Sequence, residues 1–179
     1  MTAFTLQHHS IKRWWGVVFA MVFSANGFAL STDRDQPVNI EADWAEADDL
    51  KRTTVYKGRV VVIQGSLKIT GDVVTFYFDE QDELERMVAV GRLARFQQRP
   101  DGEDVLQRGK ANRIVYNQLK DLLTLTGNAQ LAKGDDEINA DFITYDTVRA
   151  KIRGESRPPK SGDKPAGRVR ITIKPKPKN

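Results

Sequence analysis

The chain has 179 residues, with 28 lysines and arginines against 24 aspartates and glutamates, two histidines and no cysteine. This length favours one domain with or without a tail, and a chain without cysteine must hold its fold through its core rather than through disulfides. Both histidines, His8 and His9, lie near the start of the chain. The remainder therefore lacks the groups for Ser-His-Asp or Cys-His catalysis and for nearly all zinc sites.

The N-terminal segment has the pattern of a secretory signal peptide. Lys12 and Arg13 precede ten uncharged, mostly apolar residues at 14–23, and a small-x-small cleavage pattern follows at 27–29. A membrane anchor would need ~20 apolar residues, and polar residues from Ser24 onward interrupt this run sooner. We therefore predict that residues 1–29 are removed and that residues 30–179 are exported to the periplasm.

Charge is unevenly distributed along the exported part. Residues 30–150 carry 16 basic and 22 acidic side chains, whereas residues 151–179 carry 10 basic and 2 acidic ones. A basic tail of this kind can contact anionic lipid, nucleic acid or an acidic protein, or remain solvated. For an exported chain we expect no nucleic-acid partner.

Short runs of β-branched, aromatic and aliphatic residues follow one another through the exported chain. They lie at 60–63, 67–69, 73–78, 87–90, 114–116 and 122–125. Gly, Asp and Asn separate them, and no longer window has a helical period, which is typical of an all-β sandwich or roll. Residues 41–50 are predicted as a strand and a turn, and residues 98–107 as an exposed hairpin loop.

The composition changes near residue 154. Residues 154–167 contain three prolines and no apolar run, which predicts a linker after a β-domain spanning residues 30–153. Residues 168–174 alternate basic and apolar side chains, which predicts a terminal edge strand with Val169, Ile171 and Ile173 facing one way. Residues 175–179 form a basic tail, and lysine and proline are typical of protected sheet edges.

One segment of the chain is repeated at an offset of 69 residues. In order, Gly58, Gly65, Asp72 and Phe76 correspond to Gly127, Gly134, Asp141 and Tyr145. We predict that Gly58, Gly91 and Gly127 end strands, because glycine accepts a positive φ or a tight turn. Asp72 and Asp141 are expected to cap turns. Stacked units of this kind share one long core with a sheet edge at each end.

The acidic residues give little indication of chemistry. Asp135, Asp136 and Glu137 lack the alternating oxygen ligands of a calcium loop, so a charged hairpin turn is the better interpretation. Asp43, Asp72 and Asp141 recur at one place in a repeat, which favours a structural role over a catalytic carboxylate pair. We expect no metal, no cofactor and no enzymatic activity, with carboxylate catalysis as a minor alternative.

Apolar residues alternate with polar ones, so that they share one face of the predicted sheet. Within a run the spacing places Val38 with Ile40, Leu67 with Ile69 and Phe76 with Phe78 on a common face, and these residues are predicted to face inward together with Leu125 and Ile143. Two interpretations remain open, because the alternation is the same in both. The face fills the core of a sandwich, or the two layers splay and leave an apolar trough.

Four segments together resemble the LptA/OstA family. They are DQPVNIEAD at 35–43, GRVVVIQGSLKITGD at 58–72, LTLTGNAQL at 123–131 and INADFITYD at 138–146. The resemblance implies an open, twisted antiparallel β-jelly roll that carries lipopolysaccharide through the periplasm without catalysis, sheltering the acyl chains of lipid A in an apolar interior. It also implies end-to-end self-association through sheet edges.

The resemblance further implies partners and lipid contacts. An LptC-like protein of the inner membrane would deliver lipopolysaccharide, and an LptD-like protein of the outer membrane would receive it. Matching positions assign lipid contact to Val38, Ile40, Phe96 and Tyr116. The alternatives are an LptC-like anchored component, an LptD-like component, and a structural β-sandwich that binds no lipid.

Overall fold

The computed structural model describes residues 32–100, 103–156 and 167–175. Apart from a 3-10 helix at Thr32–Asp35, the regular structure is all β, which confirms the predicted class. The strands are β1 (Val38–Glu41), β2 (Trp44–Asp48), β3 (Thr53–Gln64), β4 (Leu67–Phe78), β5 (Leu84–Gln98), β6 (Gln107–Asn117), β7 (Leu122–Lys133), β8 (Asp136–Asp146), β9 (Lys151–Glu155) and β10 (Arg170–Thr172). The predicted signal peptide at 1–29, most of the predicted linker and residues 176–179 lie outside the described residues.

All ten strands belong to one antiparallel sheet. Strands β3 to β8 are neighbours in chain order, as expected of successive hairpins. At one end of the sheet β1 and β2 both pair with β3, and at the other end β9 and β10 both pair with β8. The sheet is not closed. Among the described residues, no helix is long and apolar enough to cross a membrane.

A line of β-bulges crosses the sheet and divides every long strand into two parts. Each pairing between successive strands from β3 to β8 shifts register at this line, as between Lys57 and Val60 or between Thr126 and Ala129, and the β4–β5 pairing shifts a second time between Tyr77 and Phe78. A bulge bends its strand and increases the twist. We call the parts half A (60–64, 67–70, 94–98, 107–111, 129–133 and 136–140) and half B (53–57, 73–78, 84–90, 113–117, 122–126 and 142–146).

The glycines predicted to end strands lie inside strands instead. Gly58, Gly91 and Gly127 are internal to β3, β5 and β7, so that prediction is wrong. Gly58 and Gly127 have φ of 78° and 76°, and they form bulges after which the strand continues. Gly91 does not have a positive φ, and its position beside Asp72 is a close approach of two backbones.

The aspartates of the repeat also lie at the bulges rather than in turns between strands. Asp72 accepts a hydrogen bond of 3.2 Å from the backbone N–H of Arg92 on the neighbouring strand. Asn112 lies beside Gly127 in the same way, and Asp141 beside Gly167. The two copies of the repeat are therefore structural equivalents, because Gly65 and Gly134 also match, each with a positive φ in a hairpin turn.

Two predicted boundaries change. Strand β9 extends to Glu155, past the predicted domain end at residue 153, because residues 151–155 pair with β8. The terminal strand is shorter than predicted and covers Arg170–Thr172. The predicted hairpin loop lies between β5 and β6, but its two end residues, Gln98 and Gln107, are buried strand residues rather than exposed loop residues.

Candidate functional site

The inner faces of the two halves form one apolar core. The predicted residues Leu67, Ile69, Phe76, Phe96, Tyr116, Leu125 and Ile143 are all buried, with at most 4% of their surface exposed. Phe78 and Ile40 are half-buried and pack against the same cluster. In this structure the inner face is therefore a filled core rather than an open trough.

Two contacts join the halves across this core. The rings of Phe96 in half A and Tyr116 in half B have centroids 6.4 Å apart. The Gln107 side-chain amide, also in half A, donates a hydrogen bond of 2.7 Å to the Tyr145 hydroxyl in half B. Parting of the halves at this seam would break both contacts.

A buried polar cluster closes the end of half A. The Asp33 carboxylate accepts hydrogen bonds from the backbone N–H of Ser66 at 2.6 Å, from the Ser66 hydroxyl at 2.7 Å and from the Gln98 amide at 3.0 Å. Gly65 must lack a side chain here, because a Cβ would lie 2.2 Å from an Asp33 oxygen. These bonds fasten the 3-10 helix over the end of the core.

The apolar inner face continues to both edges of the sheet, where it is uncovered. At one edge Val38 lies opposite the inward Gln64, and Ile40 lies opposite Val62, so both belong to the inner face. At the other edge Ile152 lies opposite Tyr145, and Ile171 opposite Ile138. Val38, Ile152 and Ile171 are 39%, 40% and 64% exposed.

The three residues predicted at the assembly edge differ in position. Ile171 lies in β10 on the inner side, whereas Val169 precedes this strand and Ile173 follows it. All three are exposed. Two acidic residues at the turn into β8 hold Lys174 in place. The Asp136 carboxylate accepts a hydrogen bond from the Lys174 backbone N–H at 3.1 Å, and Asp135 forms an ion pair with the Lys174 ammonium.

The recurring aspartates are not brought together as a catalytic pair. Asp43 lies beside Gly58 and accepts hydrogen bonds from the Arg59 guanidinium. That hydrogen bonding and the attraction of the Arg59 charge hold the pKa of the Asp43 carboxyl below its usual value. In the described part of the chain, no group of three or more His, Cys, Asp or Glu side chains could hold a metal ion.

Sequence reasoning did not include several inner residues. Met87, Ile114, Leu123 and Leu131 are buried in the same cluster. The alternation of their strands could have indicated two of them, since Ile114 precedes Tyr116 by two and Leu123 precedes Leu125 by two. The change of face at a bulge, which separates Leu125 from Leu131, is not visible in a simple period of two.

The sequence is similar to those of several known proteins. Residues 39–151 match the family described as LptA/(LptD N-terminal domain) LPS transport protein. The lipopolysaccharide export system protein LptH of Pseudomonas aeruginosa is 31% identical over 89% of this chain and 91% of its own length. The corresponding protein LptA of Escherichia coli is 36% identical over 74% of this chain and 72% of its own length.

A solved structure agrees with these sequence matches. The crystal structure of P. aeruginosa LptH, described as the LptA-homologous periplasmic component of the lipopolysaccharide transport device, superposes with a TM-score of 0.70 at 30% identity. The superposition covers 80% of this chain and 99% of the LptH chain. By family match, by identity and by fold, the chain belongs to the LptA/(LptD N-terminal domain) family of lipopolysaccharide transport proteins.

Proposed function

We propose that the protein is a periplasmic, non-enzymatic carrier that shelters the acyl chains of lipopolysaccharide between the halves of its sheet. The observation that carries this proposal is the inner face, which is apolar from β1 to β10 and remains uncovered at both edges. A core that served only stability would gain by covering Val38, Ile152 and Ile171, because exposed apolar surface is unfavourable in water.

Acyl chains enter this core when the halves part at an edge. The core is closed in this structure, so entry costs the contacts at the seam, among them those of Phe96 with Tyr116 and of Gln107 with Tyr145. Each buried CH₂ of an acyl chain contributes ~0.8 kcal/mol. Several chains of ordinary length therefore offset the loss of these contacts, and no catalytic group is needed.

The edges also support end-to-end assembly. An exposed strand offers unpaired backbone groups to a strand of another molecule. Pairing of the β1 edge of one copy with the β10 edge of the next would continue both the sheet and its apolar inner face. Because the two surfaces differ, the contact is heterologous and extends into an open chain. An LptC-like inner-membrane protein and an LptD-like outer-membrane protein would occupy the terminal edges.

The test is photo-crosslinking in cells. A photoreactive amino acid at Ile40 or at Phe96 is expected to form adducts with lipopolysaccharide on irradiation, since both side chains belong to the inner face. The same group at Arg113, an exposed position on β6, serves as the surface control. Adducts at Arg113 with none at either inner position would contradict the proposal.

The N-terminus distinguishes the carrier from an anchored component of the same pathway. A soluble carrier released by signal cleavage should begin at residue 30 when it is purified from the cell envelope. An LptC-like anchored protein would keep residues 1–29. N-terminal sequencing of the purified protein separates these two outcomes.

A further inference from the structure

Mostly polar side chains on the outer face of half A and of the adjoining strand β10 form two neighbouring rows that cross six strands. In one row, each residue directly opposite the next, lie Thr70, Arg95, Lys110, Gln130, Asn139 and Arg170. In the other lie Lys68, Gln97, Arg108, Ala132, Glu137 and Thr172. Their chain neighbours, such as Ile69 and Phe96, are core residues, so alternation directs both rows outward. We call these twelve residues the outer platform.

The middle of the outer platform is a depression rich in cations. Its volume is about 460 Å³, and Lys68, Arg95, Arg108 and Lys110 line it with a single carboxylate, Glu137. Within the described ranges, none of these four cations forms an ion pair with a carboxylate. A second depression of about 270 Å³ adjoins the first at Lys110 and extends to Arg168 and Arg170.

This charge arrangement is unfavourable for the protein alone. Arg95 and Lys110 are directly opposite on adjacent strands, and like charges in that position destabilise a sheet. Glu137 is already engaged, because it accepts a hydrogen bond from the Asn139 amide. The pKa of the Glu137 carboxyl is lowered by hydrogen bonds from Asn139 and Gln130 and by the charge of Lys110, so this carboxylate stays ionised. Its single negative charge is still outnumbered by the four cations of the depression. A multiply charged anion would remove this repulsion.

The residue types indicate which anion fits. A guanidinium presents a planar fork of donors that matches a phosphate group, and a lysine ammonium adds a point charge. The side-chain amides of Gln97 and Gln130 and the hydroxyl of Thr70 can bond sugar hydroxyls. None of the twelve platform side chains is aromatic, so the surface lacks the stacking groups of single-stranded nucleic-acid sites. The volume lies within the ~300–1,000 Å³ of small-molecule sites.

We propose that the outer platform binds a phosphorylated saccharide. The proposal rests on the proposed function for the source of this ligand, which is the phosphorylated sugar headgroup of the lipopolysaccharide cargo. The two faces meet at the β10 edge, where Arg170 points outward and its neighbour Ile171 belongs to the inner face. One glycolipid at this edge can therefore reach the platform with its sugars and the core with its acyl chains.

The test uses calorimetric titration of the full chain with fully deacylated lipopolysaccharide, a water-soluble phosphorylated oligosaccharide that has no acyl chain for the core. The double variant Arg95→Gln, Lys110→Gln should bind it at least about tenfold more weakly, because each charge-assisted hydrogen bond to phosphate contributes on the order of a tenfold factor. The control Arg92→Gln, Arg113→Gln removes two exposed cations outside the platform and should stay within about twofold of the wild type. Cooperative thermal unfolding would show that both variants fold, and the platform variant should unfold at the wild-type temperature or above it, because it loses the repulsion between Arg95 and Lys110.

Three results would overturn the proposal: no binding to the wild type, equal weakening by both double variants, or inorganic phosphate binding as tightly as the oligosaccharide. Crosslinking of acylated lipopolysaccharide at the inner face tests the carrier function separately from the outer platform. Loss of crosslinking at Ile40 and Phe96 with intact oligosaccharide binding would contradict the carrier function alone. Crosslinking without oligosaccharide binding would contradict the platform alone.

Discussion

Gln107 and Tyr145 belong to different halves of the sheet, and the Gln107 amide donates a hydrogen bond of 2.7 Å to the Tyr145 hydroxyl within the buried core. The exposed fraction of Gln107 is 3% and that of Tyr145 is 2%, so water cannot replace either partner. This bond makes the closed core depend on one polar pair at the seam. Removal of one partner leaves a buried polar group unsatisfied, whereas removal of both does not.

Tyr145→Phe should lower the free energy of unfolding by about 1–3 kcal/mol, and Gln107→Leu by a similar amount, because each leaves the other polar group buried without its partner. The double variant should lose clearly less than the sum. Urea denaturation of the four proteins measures this coupling. Tyr77→Phe, on the outer face, is the control and should change stability little. Additive effects would mean that the bond does not join the halves.

Gly58→Ala should destabilise the protein more than Gly134→Ala. Both glycines have a positive φ, so each alanine has a strain of about 1–2 kcal/mol. A Cβ at Gly58 would also lie 2.3 Å from an Asp43 carboxylate oxygen, whereas at Gly134 it meets only a Val105 methyl at 3.3 Å. Thermal and urea denaturation should therefore rank the variants in this order. Equal destabilisation would contradict the close contact at the bulge.

The Asp43–Arg59 pair should make stability depend on pH. The pKa of Asp43 is lowered in the folded protein by the hydrogen bond and charge of Arg59. A lowered folded pKa stabilises the protein above the unfolded pKa of about 3.9, and the effect disappears as the pH falls through the folded pKa. The stability difference between the wild type and Asp43→Asn should thus be present at pH 7 and diminish below about pH 4.

The control for this titration is Asp49→Asn, which removes an exposed carboxylate that forms no ion pair among the described residues. At pH 7 its free energy of unfolding should be close to that of the wild type, because an exposed carboxylate without an ion pair contributes little. A difference for Asp43→Asn that grows as the solution becomes acidic would have the wrong sign for a lowered pKa.

Charges at the two edges should reveal how copies join. Val38→Lys and Ile171→Lys each place an inward-facing charge at one end of the sheet, a device that opposes edge pairing. If assembly is head to tail, each variant alone should sediment as a monomer, and an equimolar mixture should form a one-to-one dimer through the two unmodified edges. Analytical ultracentrifugation measures this.

The mixture of Val38→Lys and Ile171→Lys also tests the alternative, in which each edge pairs with the identical edge of another copy. If identical edges pair, one of the two variants would still dimerise alone, and mixing would add no new species. Persistence of long oligomers in both variants would show that neither edge takes part in assembly.

The β class and the repeat could be predicted because turn residues and apolar alternation are local signals. The lengths of the strands could not be predicted from these signals. Residues 67–69 and 73–78 were predicted as two runs, yet they form the single strand β4. Gly71 and Asp72 separate the runs in sequence, and the same residue types serve in turns and in bulges. Only the pairing partner decides between the two.

The inner face was predictable within a strand but not across the bulges. Leu67 and Ile69 share a face with Phe76, although a period of two from Ile69 would place residue 76 on the opposite face. The outer platform was hidden for a different reason. Arg95 and Lys110 are 15 positions apart in sequence, and only the register of β5 and β6 makes them neighbours. No property of either residue alone indicates that relation.

The bulge line makes the size of this fold modular. Asp43 beside Gly58, Asp72 beside Gly91, Asn112 beside Gly127 and Asp141 beside Gly167 are successive instances of one device across the sheet. Insertion of another pair of crossing strands with the same device would lengthen the roll and leave both ends unchanged. The length of the apolar inner face is therefore set by the number of such units, and duplication of a unit could change that length without altering the contacts inside any other unit.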